Sequence, residues 1–99
     1  MAIIDISIGA TRPKGENSLP SAKTIVKEIL DTYSFKYVES PMSITLEGDI
    51  DEAFEMIRKI QLKLKDMGYP RTFSQIKIDD RHDKKGSIDQ KLSSVTSKL

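Results

Sequence analysis

Residues Pro41–Asp49 read P-M-S-I-T-L-E-G-D. The segment alternates: Ile44 and Leu46 point one way from a strand, while Ser43, Thr45 and Glu47 point the other. The apolar pair needs a core. The polar column needs water or a partner. Same-face side chains along a strand are roughly 6.6–7 Å apart. That is the span of a small heteroaromatic ring, so two hydroxyls and a carboxylate in one column can serve as a ligand platform.

The neighbouring segments repeat the pattern. Residues 2–9, A-I-I-D-I-S-I-G, alternate Ile4, Ile6 and Ile8 with Asp5, Ser7 and Gly9 and predict a β-branched strand. Pro13, Gly15 and Asn17 mark a loop. Ser18 is expected to cap a helix whose first turn tolerates Pro20. Ala22, Ile25, Val26, Ile29, Leu30 and Tyr33 then recur at helical spacing. Phe35–Ser40 predicts a second strand, and Pro41 turns the chain into a third over Ser43–Glu47. Asp49 with Glu52 resembles a capping box. Ile50, Ala53, Ile57, Ile60, Leu64 and Met67 form a second helical stripe, which Gly68 ends. Thr72–Asp80 predicts a fourth strand, with Ser74, Ile76 and Ile78 on one face and Phe73, Gln75, Lys77 and Asp79 on the other. Ser87, Gln90, Ile88, Leu92, Val95 and Leu99 predict a short amphipathic terminal helix.

The order is β-α-β-β-α-β with one added helix, an α+β ferredoxin-like sandwich occupying residues 1–99 as a single domain. Strands joined by crossover helices are expected to pair in parallel and the middle two to form a hairpin. The two helices cover the face of Ile4, Ile6, Ile8, Ile44, Leu46, Ile76 and Ile78. The opposite face is open and carries Ile3, Asp5, Ser7, Ser43, Thr45, Glu47, Phe73, Gln75 and Lys77.

Composition narrows the function. Sixteen basic and fifteen acidic residues leave a net charge of +1, too balanced for a nucleic-acid or lipid footprint. The RNA-binding variant of this topology stacks bases on aromatic residues of its central strands. The first and third strands here have none, and Asp5 and Glu47 would repel phosphate. The 99 residues include no cysteine, which excludes a disulfide framework, a thiolate metal site and a cysteine nucleophile. The single histidine, His82, stands in D-D-R-H-D with no recognised metal spacing, so a solvated charged loop is expected and no metal site. No serine is placed beside it for a catalytic relay, and no catalytic residue is assigned. Gly15 alone makes no phosphate loop. Neither a leader sequence nor a membrane span is expected, which makes cytoplasmic the default. A chain this small buries a modest share of its surface, so oligomerisation is expected.

Three segments carry a family resemblance: the opening A-I-I-D-I-S-I-G with its Ser18 helix entry, the hairpin K-Y-V-E-S-P-M-S-I-T-L-E-G-D, and the closing I-K-I-D-D-R-H-D-K-K-G-S-I-D-Q-K-L. The most specific parts are the Pro41, Thr45, Glu47, Gly48 spacing and the Ile78-Asp79-x-Arg81-x-Asp83 run. Together they resemble the small thiamine-binding proteins of the YkoF-like family over nearly the whole chain. That resemblance implies a ferredoxin-like subunit that assembles through its open sheet face into homodimers or homotetramers. It implies thiamine, or its hydroxymethylpyrimidine moiety, bound between subunits as a ligand and not as a catalytic cofactor. Thr45 and Glu47 are the implied ligand contacts by motif; Ser43 and Ser7 join them by strand facing alone. The alternative class is a structural or regulatory oligomerisation module with no small-molecule ligand.

Overall fold

The computed structural model describes residues 1–12 and 19–83. The elements are β1 (Ala2–Thr11), α1 (Ala22–Leu30), β2 (Lys36–Glu39), β3 (Ile44–Gly48), α2 (Ile50–Asp66) and β4 (Arg71–Asp79). They form one four-stranded sheet in the order β2-β3-β1-β4. This is the ferredoxin-like arrangement. The expected terminal helix and the Ser18 cap fall outside the described residues.

The pairing differs from expectation. Every ladder is antiparallel: β1 with β3, β1 with β4, and β2 with β3. The crossovers do join strands that run the same way, but those strands are not neighbours. The tight turn between β2 and β3 returns β3 into the space left beside β1, and β1 in turn separates β3 from β4.

Local chemistry sets the helix ends. Ser21 precedes α1, and its Oγ accepts from the Thr24 N–H at 3.2 Å. Pro20 therefore lies before the helix and not in its first turn. Asp49 caps α2 as its spacing to Glu52 predicts, its carboxylate accepting from the Glu52 N–H at 3.0 Å. Asp51 and Glu52 in the first turn and Lys63 and Lys65 in the last suit the helix dipole. At the far end Gly68 adopts φ 94°, which a β-carbon would oppose. The Gly68 N–H bonds to the Lys65 carbonyl at 3.0 Å and the Tyr69 N–H to the Leu64 carbonyl at 3.2 Å. Those two bonds close a Schellman motif.

The core lies between the helices and one sheet face. Ile4, Ile6, Ile44 and Leu46 from the sheet meet Ile25, Val26 and Leu30 of α1 and Ala53, Met56, Ile57, Ile60 and Leu64 of α2. Leu46, Ile60 and Leu64 are fully enclosed. Ile78 was expected among them and is instead 42% exposed. It belongs to the edge strand β4, at the margin of the cover that α2 gives, and lines a shallow groove with Ala53, Phe54 and Ile57 of that helix.

Exposed charges fasten the β2 end to α1. Glu39 accepts from Lys23 at 2.9 Å and from Lys27 at 3.1 Å. The hydrogen bond from Lys23, then that from Lys27, holds the Glu39 carboxyl below its ordinary pKa. The hydrogen bond to Glu39 and its charge raise the Lys27 ammonium. A lowered carboxylate pKa contributes stability above the ordinary glutamate range, and the contribution fades as pH falls through the lowered value.

Two outcomes follow from this packing. Leu46→Ala should lower unfolding free energy by about 2–5 kcal/mol, measured by urea denaturation; a loss below about 1 kcal/mol would mean the β3 core face is loosely packed. Glu39→Gln should be less stable than the parent at neutral pH and indistinguishable from it in strong acid. A difference that persists at low pH would assign the effect to something other than the clamp.

Candidate functional site on the open sheet face

The register assembles the open face row by row. Val38, Thr45, Asp5 and Lys77 stand abreast across the four strands. Lys36, Glu47, Ile3 and Asp79 form the next row. On the other side of the first row Ser7 stands beside Gln75, and beyond that Gly9 stands beside Phe73. The Phe73 ring lies across Gly9, where any β-carbon would meet it. The Arg71 guanidinium sits 5.6 Å from the same ring, within cation–π range.

One hydrogen bond organises the middle of this face. The Thr45 hydroxyl donates to Asp5 Oδ1 at 2.8 Å, and both residues are half-buried. A carboxylate offers about four acceptor sites, and Thr45 fills one while fixing the orientation of the group. Beside Asp5 opens a cavity of about 170 Å³ lined by Asp5, Ser7, Met42, Ser43, Gln75 and Lys77.

Ser43 reaches the cavity from a turn rather than from a strand, because β3 begins one residue later than predicted. The Ser40 Oγ donates to the Ser43 carbonyl at 3.0 Å, and the two hydroxyls are 3.2 Å apart. The turn also holds out Met42, which is 86% exposed. A second cleft of about 150 Å³ lies on the far side of the same turn and includes Lys23, Val26 and Ile8. Ser7, Met42 and Ser43 line both spaces. The Glu39 clamp to α1 therefore holds the turn that forms one wall of the cavity.

The four residues singled out by sequence share this face but divide within it. Ser7 and Ser43 line the cavity, Thr45 holds Asp5 at its edge, and Glu47 stands one row away, outside the lining. Four lining residues were not singled out as ligand contacts: Asp5, Met42, Gln75 and Lys77. The signal for Asp5 was available, since it alternates with the buried isoleucines of β1. Gln75 and Lys77 become neighbours of Ser7 and Asp5 only through the β1–β4 register.

The charged loop after β4 carries an internal ion pair. Arg81 and Asp83 form a two-bond pair at 2.9 and 2.8 Å. His82 Nε2 is 3.9 Å from Asp80 and is 87% exposed. Among the described residues no group of three or more potential metal ligands comes together. No helix there is long and apolar enough to cross a membrane.

Comparison with known proteins agrees with this architecture. The chain is 31% identical to a UPF0045 protein encoded in the glkA 3′ region of Staphylococcus xylosus, covering all of this chain and 95% of that one. It is 33% identical to the UPF0045 protein YqgV of Bacillus subtilis, covering all of this chain and 98% of the relative. The crystal structure of protein MJ1052 from Methanocaldococcus jannaschii superposes with a TM-score of 0.74 at 28% identity, over 96% of this chain and 95% of that one. The family profile described as thiamine-binding protein matches residues 4–96. The chain therefore belongs to the thiamine-binding protein family.

Proposed function

We propose that the protein binds thiamine, or its hydroxymethylpyrimidine moiety, on the open sheet face at a site that a second subunit completes. The observation that carries this reading is the Asp5 carboxylate, held by Thr45 at the edge of the cavity. An aminopyrimidine presents N–H donors that a carboxylate accepts as charge-assisted bonds. The Ser7 and Ser43 hydroxyls and the Gln75 amide supply both donors and acceptors for the ring nitrogens and the hydroxymethyl oxygen. The Met42 thioether is a polarizable cover for a flat ring.

Charge sets the orientation. Lys77 in the cavity wall disfavours the cationic thiazolium of thiamine and suits the neutral pyrimidine. Glu47, one row further along the face, provides the negative charge on the side where the thiazolium would extend. Size argues for a shared site. A volume of about 170 Å³ falls below the roughly 300–1,000 Å³ of pockets that enclose a drug-sized ligand. One subunit thus supplies part of an enclosure.

The reading is non-catalytic: thiamine is the ligand, and no residue is given a chemical step. The alternative, an oligomerisation module without a ligand, draws on the exposure of Phe54, Phe73 and Ile78. It accounts for an interface and leaves the polar cavity without a role.

Calorimetric titration tests the reading directly. Saturable heat is expected with thiamine and with hydroxymethylpyrimidine; no heat from either at millimolar concentration overturns it. Asp5→Asn should weaken both ligands at least tenfold, the equivalent of about 1.4 kcal/mol and within the range of one charge-assisted bond. Glu47→Gln should weaken thiamine at least tenfold and hydroxymethylpyrimidine less. Unchanged thiamine affinity would remove Glu47 from the site.

A further inference from the structure

The open face is charged differently at its two ends. On one side of the Asp5 row stand Lys36, Glu47, Ile3 and Asp79, two carboxylates against one ammonium. On the other side β4 presents Gln75, Phe73 and Arg71, abreast of Ser7, Gly9 and Thr11 of β1. Those three rows contain no carboxylate. The cavity lies where the two ends meet, with Asp5 and Lys77 in its lining together with Ser7 and Gln75.

Arg71 is anchored beside this cavity. Its guanidinium sits 5.6 Å from the Phe73 ring, and the ring lies across Gly9, in the row next to Ser7 and Gln75. A ring contact engages the charge and leaves the five N–H donors of the guanidinium for other acceptors. Among the described residues Arg71 has no carboxylate partner. The ring is 53% exposed, so the cation is reached from solvent along the open face.

We propose, on the ligand reading above, that the site also takes the phosphate ester of hydroxymethylpyrimidine, with the ring at the Asp5 cavity and the phosphate against Arg71. In this pyrimidine the amino group and the carbon arm occupy neighbouring ring positions, so the arm leaves to one side of the amino axis. A half-turn of the ring about that axis keeps the amino group on Asp5 and carries the arm from the Glu47 end to the Arg71 end.

Charge chooses between the two orientations. The cationic thiazolium of thiamine goes toward Glu47. A phosphomonoester carries about −1.5 to −2 charge at pH 7 and goes the other way. There the fork of a guanidinium can hold two phosphate oxygens at once. The Gly9 and Phe73 row lies roughly 6.6–7 Å from that of Ser7 and Gln75. The short CH2–O–P arm covers most of that span, and the long side chain of Arg71 closes the rest. Lys77 in the cavity lining adds positive charge beside the ring.

Calorimetric titration of the full-length chain tests the assignment, with hydroxymethylpyrimidine, its phosphate ester, thiamine and inorganic phosphate as probes. The ester should bind roughly tenfold or more tightly than the alcohol, as one charge-assisted contact allows, and the difference should shrink as salt rises. Arg71→Gln should remove the advantage of the ester and leave thiamine and the alcohol unchanged. Arg71 is exposed, so the substitution spares the core. Arg71→Lys keeps the charge without the fork and should retain part of the advantage.

An ester that binds no more tightly than the alcohol overturns the proposal. So does an advantage that survives in Arg71→Gln. Inorganic phosphate as tight as the ester would leave the ring no part in binding and overturns the joint site. Heat from thiamine and the alcohol with no gain from the phosphate sinks this inference alone. Heat from the ester alone, lost in Arg71→Gln, sinks the ligand reading and supports the phosphate contact. No heat from any pyrimidine sinks both.

Discussion

The structure depends on the register of β1 between its two neighbours. Ile4 stands abreast of Leu46 and Ile78, and Asp5 abreast of Thr45 and Lys77. Strand side chains alternate, so a slip of one residue would carry Ile4, Ile6 and Ile8 to the open face and Asp5 and Ser7 into the core. Burial of Ile4, Ile6 and Leu46 under the helices forbids that slip. The polar row on the opposite face is the other side of the same constraint. Hydrophobic packing on one face thus positions Asp5, Thr45 and Lys77 on the other without any interaction among them being required.

Onto that frame the chain adds one polar refinement and one mechanical one. The Thr45 to Asp5 hydrogen bond fixes a carboxylate orientation that the register alone leaves free. The pairing of Glu39 with Lys23 and Lys27 ties the end of β2 to α1, and so places the turn bearing Met42 and Ser43 over the face. Exposed ion pairs contribute little stability. Their service here is to locate a wall of the cavity.

Much of this was legible in the sequence because it depends on period. Alternation in Ile44–Glu47 and Ile4–Ile8, and helical recurrence from Ile50 to Met67, state which residues face the core. Those patterns identify the sandwich and its open face. What they could not state was lateral order. Parallel pairing followed from counting crossovers, yet strand insertion between the crossover partners made every ladder antiparallel. The site suffered in the same way. The Ser43, Thr45, Glu47 column runs along one strand and is visible locally. The cavity runs across strands, and takes Asp5 from β1 and Gln75 and Lys77 from β4. Ser21 caps α1, and the sequence offers more than one serine ahead of the helix, between which spacing alone does not choose. Ile78 fits the apolar period, but the period does not reveal that an edge strand lies at the margin of the helix cover.

The claim that the open face holds the ligand is tested most directly by a crystal structure grown with thiamine. The account predicts the pyrimidine ring over the cavity, with a donor N–H about 2.7–3.2 Å from an Asp5 carboxylate oxygen, and the thiazolium directed along the face toward Glu47. Thiamine found on the helix side of the sheet, or on the open face with no contact to Asp5, would contradict it.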